Sequence, residues 1–295
     1  MELSPPTRRS LLAAAAVLSF LASAVLTSCG GSDTKKTASA ATGFDSEYCV
    51  TARKWAVHEL NGGSDGAYAR GGPAALRKWW NDQLAFFKTS VQQAPPAIHD
   101  AEVINERATR TRMTPVLAKY GFDPKRIDTE GSASEKAALE STSAAAKAEA
   151  AIRTYQDGRC GYGGSPPPAK VTFKASSASK AYCAASASQG NGLGKVVSSG
   201  FDPAAFRTYV TSGRFLAALD AEDQTAPAEI AADVKLDNAW VRDRKLKVIR
   251  DFGYDLRRLL LEGSAHDLAV FTYWHPAIAE HDSRVEAYQQ QICAG

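Results

Sequence analysis

Four cysteines carry the clearest chemical signal in this sequence, because their spacing repeats. Cys49 and Cys160 stand 111 residues apart, and Cys183 and Cys293 stand 110 apart. The equal steps favour the disulfides Cys49–Cys160 and Cys183–Cys293, and the rival arrangement is Cys160–Cys183 inside Cys49–Cys293. No CxxC pair exists, so the spacing argues against a zinc knuckle.

Histidine offers the other candidate for ligand chemistry. None of the five histidines forms an HExxH or Hx3H pair. His281 falls between Ile278 and Val285 on an apolar helical stripe, where a core histidine could ligate haem or a metal. A hydrogen-bonded, partly buried histidine is the commoner alternative, so we treat His281 as a speculative ligand and predict no cofactor.

No pattern in the chain predicts catalysis. The segment 190–195, GNGLGK, lacks the first glycine and the Ser or Thr of a phosphate-binding loop. No GxSxG nucleophile elbow occurs. We therefore predict no catalytic residue and no enzyme. The tryptophans could line a ligand groove, although core packing is the simpler expectation; they are Trp55, Trp79, Trp80, Trp240 and Trp274.

The N-terminus predicts export. Arg8 and Arg9 precede the apolar run 11–26, a signal-peptide pattern that is short for a permanent transmembrane helix, the alternative reading. The run ends in Leu26-Thr27-Ser28-Cys29, which resembles a bacterial lipoprotein box. That resemblance implies cleavage before Cys29 and lipid, palmitate included, on its thiol. Residues 7–12 also resemble a twin-arginine motif, so export by the Sec or the twin-arginine route is open.

Charge argues against a nucleic-acid partner. The chain of 295 residues has a net charge of +3. After removal of residues 1–28, 33 basic residues face 31 acidic ones. So weak a field predicts no nucleic-acid binding.

The mature chain contains an internal duplication. Tyr48-Cys49 recurs as Tyr182-Cys183, and residues 119–132 recur as 251–264, at offsets between 130 and 134. A Pro/Gly segment separates the copies. We expect a signal peptide over 1–28, a tether over 29–43, repeat 1 over 44–162, a linker over 163–172 and repeat 2 over 173–295.

Apolar residues at spacings of three and four predict helices throughout. In repeat 1 we expect helices near 45–60, 73–92, 96–120 and 133–158, and in repeat 2 a loop over 186–200. Four Gly-aromatic-Asp triplets predict helix ends followed by Asp N-caps; the aspartates are Asp45, Asp123, Asp202 and Asp255. The predicted fold is all-α: two tandem up-down four-helix-bundle-like domains, each closed by a disulfide between its first and last helix.

The chain resembles a set of Ala-rich lipoproteins from actinobacteria. The likeness rests on the box at 26–29, the Gly/Ser/Thr tether, Tyr-Cys at the start of each repeat, residues 226–230, and Cys160-Gly161 at the end of repeat 1. It implies a location at the outer face of the cytoplasmic membrane and a helical fold, and it brings no active-site residues. Helical haem-carrier domains are a looser likeness in size and terminal cysteines.

These observations predict a membrane-anchored extracytoplasmic lipoprotein that binds or interacts at the cell envelope. The expected partners are the membrane, through lipid on Cys29, and an envelope protein or small ligand. The alternatives are a haem or metal carrier and an envelope hydrolase without a recognisable site.

Overall fold

The computed structural model describes residues 43–161, 168–197, 201–273 and 275–293, with the backbone alone for 189–197. Within these residues the chain is all helical and contains no strand. None of the described helices is both long enough and apolar enough to cross a membrane.

Repeat 1 contains seven α-helices among its described residues. The chain runs through α1 (Glu47–Glu59), α2 (Gly63–Gln93), α3 (His99–Ala108), α4 (Thr114–Lys119), α5 (Pro124–Glu130), α6 (Ala133–Leu139) and α7 (Ser143–Tyr155). A π turn over Thr109–Met113 joins α3 to α4, and a second over Gln156–Cys160 extends α7.

Repeat 2 contains eight α-helices among its described residues, one more than repeat 1. Its helices are α8 (Ser179–Val197), α9 (Pro203–Val210), α10 (Gly213–Thr225), α11 (Ala231–Trp240), α12 (Leu246–Asp251), α13 (Leu256–Glu262), α14 (Ala265–Phe271) and α15 (Ala279–Tyr288). Its π turns, Val241–Lys245 and Gln289–Cys293, stand at the positions equivalent to those in repeat 1.

Both predicted disulfides are confirmed. Cys49 at the start of α1 bonds Cys160 in the π turn after α7, and Cys183 in α8 bonds Cys293 in the π turn after α15. Each bridge therefore lies within one repeat, and the rival pairing of Cys160 with Cys183 is wrong.

The two repeats reproduce one another in detail around these bridges. Tyr48 meets Tyr155 edge-on with ring centroids 5.8 Å apart at 76°, and Tyr182 meets Tyr288 with the same distance and angle. Gln156 donates to the Tyr48 hydroxyl at 2.9 Å, and Gln289 donates to the Tyr182 hydroxyl at 3.0 Å. The same side chains occupy the same geometry twice, as an internal duplication predicts.

Three of the four predicted aspartate caps are confirmed. Asp123, Asp202 and Asp255 accept from the backbone N–H two residues ahead. The prediction for Asp45 is wrong, because Ser46 caps α1 by accepting from the N–H of Cys49 at 3.2 Å.

In two of these triplets, both the glycine and the aromatic residue have a left-handed backbone conformation. Phe122 and Tyr254 both have φ of +62°. Their N–H groups close the preceding helices by donating to the carbonyls of Leu117 and Ile249.

Two other expectations are corrected. The segment 186–197, expected as part of a loop, continues α8, which packs along α10; tertiary packing overrides the low helix propensity of its glycines. The helix expected over 133–158 is two helices, since α6 ends at Leu139 and Thr142 caps α7. Pro276 lies between α14 and α15, in keeping with the exclusion of proline from helix interiors.

The repeats also contact one another. Ala56 of α1 and Leu60, the C-cap residue of that helix, share a buried apolar cluster with Phe206, Leu259 and other residues of repeat 2. The N–H of Phe201 donates to the Leu60 carbonyl at 2.7 Å. The C-terminal part of α1 therefore belongs to both the first repeat and the contact between repeats.

Candidate functional site

Four of the five cysteines form the two disulfides. The fifth, Cys29, lies outside the described residues. Cys49 and Cys160 are fully buried. Arg53, also buried, donates to the Cys160 carbonyl at 3.3 Å and to the Phe44 carbonyl at 2.8 Å. Cys49 and Cys160 thus have a structural role.

His281 lies at the surface edge of α15 rather than on its core stripe. Its side chain keeps 41% of its exposure, and its Nδ1 lies 2.8 Å from Asp233 Oδ1. Arg284 Nε donates to the other oxygen of Asp233 at 2.9 Å. Ile278, which suggested the stripe, precedes the helix with a non-helical backbone, so the spacing of three does not place both residues on one face.

Metal ligation finds no support around His281. Among the described residues, no group of three or more histidine, cysteine, aspartate or glutamate side chains could hold a metal ion. The His281 ring contacts the carboxylate of Asp233, and this carboxylate also accepts a hydrogen bond from Arg284.

Of the described tryptophans, two are buried in the core and two are half-buried. Trp79 and Trp80 are buried, and Trp80 Nε1 donates to Thr114 Oγ1 at 2.9 Å. Trp240 is half-buried and donates to the Val270 carbonyl at 3.0 Å, while Trp274 lies outside the described residues. Trp55 is half-buried and lies at the surface between α1 and α2.

Trp55 stands in a group of nearly parallel rings, which we call the aromatic cleft. Phe86 of α2 stacks on Trp55 with centroids 4.8 Å apart at 14°, and His58 stacks at 4.6 Å and 28°. These rings line a shallow, open depression of about 330 Å³. Its remaining lining residues are Thr51, Lys54, Asp82 and Ala85.

Several polar atoms next to the cleft are buried without a hydrogen-bond partner among the described residues. They include His58 Nε2 and Trp79 Nε1. Burial of its ring lowers the pKa of His58, so the imidazole is neutral at pH 7. Neutral donors and acceptors without partners are what a bound ligand or ordered water satisfies.

Repeat 2 contains a different feature, three buried carboxyl groups and a half-buried lysine that we call the charged cluster: Glu222, Asp237, Asp282 and Lys245. Burial, together with the charge of the neighbouring Asp282, raises the pKa of Asp237 to about 9. Burial also raises the pKa of Glu222 to about 7. Asp237 Oδ1 and Glu222 Oε1 have no hydrogen-bond partner among the described residues.

The lysine of this cluster lies under aromatic rings. Lys245 Nζ is 4.0 Å from the ring centroid of Tyr273 and 4.8 Å from that of Phe271. Burial lowers its pKa to about 8, and the attraction of Asp282 and Asp237 opposes this shift. The cluster therefore holds groups that change protonation between pH 7 and 9.

Neither feature recurs in the other repeat. At the offsets that align neighbouring segments, Trp55 corresponds to Gln189 and Phe86 to Ala218. In the opposite direction, Glu222, Asp237 and Lys245 correspond to Ser90, Asn105 and Met113. Sequence reasoning missed both sites, although a residue-by-residue comparison of the two repeats contains the signal for them.

A third surface feature, a basic face on α11, its π turn and α12, is mostly neutralised. Arg242 Nη2 bonds Asp220 at 2.7 Å and Asp223 at 3.1 Å, and Lys247 bonds Asp251 at 2.7 Å. Two of the basic side chains of this face, Arg242 and Lys247, are therefore neutralised by neighbouring carboxylates.

Comparison of the chain with protein-family models, with curated proteins and with solved structures finds no match.

Proposed function

We propose that this chain is an exported lipoprotein, anchored at the outer face of the cytoplasmic membrane through lipid on Cys29, that binds a ligand of the cell envelope in the aromatic cleft. The signal-peptide pattern and the lipoprotein box support the anchor. The composition of residues 29–43 predicts a tether, and a Gly/Ser-rich chain of that length has an expected end-to-end distance of about 20 Å.

The observation that carries the binding function is the restriction of the cleft to repeat 1. Repeat 2 is also all helical in its described residues and is closed by the equivalent disulfide, with Gln189 and Ala218 in place of Trp55 and Phe86. The two surface aromatics are therefore unnecessary for folding. Half-buried aromatic side chains are enriched where proteins bind other molecules.

The proposal includes the finer architecture. In repeat 1, α1 contacts α2, α2 contacts α3, α3 contacts α7, and the π turn after α7 contacts α1. This closed ring of contacts supports an up-down four-helix-bundle-like domain in repeat 1. We propose the same architecture for repeat 2, with the domain limits 44–162 and 173–295.

Metal and haem carriage, the alternative function, has no described grouping of ligands to support it. An absorption spectrum after haem addition separates the alternatives: a Soret band that disappears in His281→Ala would establish the carrier and replace the proposal. The proposal predicts the same spectrum for wild type and variant.

The anchor is tested by labelling cells with radioactive palmitate. The wild type takes up label and fractionates with membranes, whereas Cys29→Ala takes up none and is released or remains a precursor. Equal labelling of the two proteins would contradict the lipid anchor.

Binding is tested with the mature chain carrying Cys29→Ala, so that lipid does not dominate. The protein should bind isolated cell envelopes saturably. The variant Trp55→Gln/Phe86→Ala, which copies the residues of repeat 2, should lose this binding, and Leu216→Ala, at an exposed site on α10, should keep it. Equal retention of all three proteins would refute the binding role of the cleft.

A further inference from the structure

The charged cluster joins α15 to the helices beneath it. Glu222 belongs to α10, Asp237 to α11, Lys245 to the π turn after α11, and Asp282 to α15. The three carboxylic residues are at most 8% exposed, and Lys245 attracts both Asp237 and Asp282. One lysine can compensate one carboxylate, so ionisation of a second carboxyl group leaves a buried negative charge without a counter-charge.

The surroundings of Glu222 do not keep it charged. Its Oε1 has no hydrogen-bond partner among the described residues. Ser186, Asn238 and Arg242 favour its carboxylate and Asp223 disfavours it, but burial outweighs them and raises its pKa to about 7. Glu222 therefore loses its proton close to neutral pH.

The other groups of the cluster titrate in the same direction. Burial raises the pKa of Asp237 to about 9 and lowers the pKa of Lys245 to about 8. Tyr182 and Tyr273 face the same carboxyl groups and keep their protons, because burial raises their pKa values. The cluster therefore becomes more negative as the pH rises from 5 to 8.

α15 is held covalently at one end only. The π turn after it is joined to α8 by the disulfide Cys183–Cys293. Its N-terminal turn contains Asp282, and Val285 one turn later packs in an apolar cluster with Ile230 and Val234. The N-terminal half of α15 thus rests on α11 by packing alone, next to the charge that builds up.

The surface contacts between α15 and α11 do not oppose this change. His281 Nδ1 and Arg284 Nε lie 2.8 and 2.9 Å from the two carboxylate oxygens of Asp233. Arg284 stays charged throughout this pH range, and any proton lost from His281 weakens its attraction to Asp233. Rising pH therefore leaves these contacts unchanged or weaker.

We propose that the N-terminal half of α15, residues 279–285, is a pH-sensitive latch that lies closed on α11 in acid and opens more often as the pH approaches 8. Opening lets water reach the charged cluster, and the disulfide-held end of the helix is the hinge. Repeat 1 has no such latch: at the position of Asp282 stands Glu149, which is 46% exposed and paired with Arg153 at 2.9 Å.

The test is amide hydrogen exchange, read by mass spectrometry, of the mature chain carrying Cys29→Ala at pH 5 and pH 8. After correction for the intrinsic effect of pH on exchange, the opening constant of α15 should rise about tenfold or more, because each carboxyl group that is protonated only in the closed form adds up to a factor of ten per pH unit. Amides of α7, the equivalent helix of repeat 1, should change less.

Neutral variants assign the effect to the cluster. Asp237→Asn keeps the shape of the protonated side chain and should flatten the rise in α15, whereas Asp243→Asn, at an exposed site on the π turn, should leave it unchanged. If Asp237→Asn does not fold, Glu222→Gln provides the same comparison. An opening constant of α15 that does not rise, an equal rise in α7, or a full rise in the neutral variant would overturn the inference.

Discussion

The two repeats share a scaffold but differ in what they bury. Around each disulfide, the tyrosine pair and its glutamine adopt the same geometry. Away from the disulfides, Asp237 of repeat 2 is buried and Lys245 is half-buried. Repeat 1 has Asn105 and Met113 at the corresponding positions. Repeat 1 in turn has stacked aromatic rings at its surface.

This difference separates residues that the fold requires from residues that it tolerates. A buried charge is often replaceable by a neutral side chain without loss of stability. Repeat 1 supplies that replacement within the same chain, so the charged cluster of repeat 2 is not needed to close the helices. In the same way, repeat 2 has no aromatic side chain at the positions of Trp55 and Phe86, so the fold does not require these two rings.

Loss of a disulfide should have the largest effect. Each bridge closes a loop of more than 100 residues, and the chain-entropy model assigns such a loop about 4–5 kcal/mol of stability. Cys49→Ala/Cys160→Ala should lower the melting temperature more than Cys183→Ala/Cys293→Ala, because the first pair is fully buried. Calorimetry measures both, and equal melting of the variants and the wild type would contradict the prediction.

The charged cluster should make stability depend on pH. Folded Glu222 and Asp237 hold their protons to higher pH than they do in the unfolded chain. Unfolding therefore releases protons above about pH 4, and stability should fall as the pH rises from 5 to 8, by about 1.4 kcal/mol per pH unit for each carboxyl group that is protonated only in the folded state. Lys245 has a lowered pKa and acts with the opposite sign, regaining stability only above about pH 8.

The repeat-1 residues provide the matched variant for this prediction. Glu222→Ser/Asp237→Asn/Lys245→Met should reduce the pH slope measured by urea unfolding at pH 5 and pH 8. Part of the slope should remain, since burial also raises the pKa of Glu59 in repeat 1 to about 7. A slope as steep as that of the wild type would mean that the cluster does not titrate as described.

The shared tyrosines should differ in their contribution. Tyr48 donates to the buried Glu102 at 2.5 Å and accepts from Gln156, whereas Gln289, the partner of Tyr182, also donates to Ser186 at 3.0 Å. Tyr48→Phe removes a hydrogen bond from a buried carboxyl group and should cost about 2 kcal/mol, against about 1 for Tyr182→Phe. Urea unfolding distinguishes them; an inverted order would be inconsistent with the network.

The smallest effect is expected at a pair of surface arginines. Arg126 bonds Glu130 at 2.8 Å and Arg258 bonds Glu262 at 2.9 Å, each on an exposed face at a spacing of four. Such pairs contribute little in water. Arg126→Ala and Arg258→Ala should leave the melting temperature unchanged, and a drop in either would show that the repeats differ there too.

The sequence predicted the features that repeat. The cysteine spacing predicted both disulfides, and the aspartate caps at Asp123, Asp202 and Asp255 followed from local hydrogen bonding. These features depend on residues close in sequence or on the duplication itself.

The sites could not be predicted in the same way, because they depend on which faces of different helices meet. Trp55 and Phe86 are 31 residues apart on two helices, and only the packing of α1 against α2 stacks them. Asp237, Lys245 and Asp282 likewise come from α11, its π turn and α15. The placement of His281 on an apolar helical stripe was wrong for a similar reason. Ile278, the first residue of that stripe, lies before α15 begins.

The most direct test exchanges the differences between repeats. One variant, Trp55→Gln/Phe86→Ala, gives repeat 1 the residues of repeat 2; the other, Glu222→Ser/Asp237→Asn/Lys245→Met, does the reverse. Envelope binding and the pH slope of stability are measured for both. The account predicts that the first variant loses binding and keeps the slope, and that the second keeps binding and loses much of the slope. Loss of binding in the second variant alone would contradict the assignment of the binding site to repeat 1.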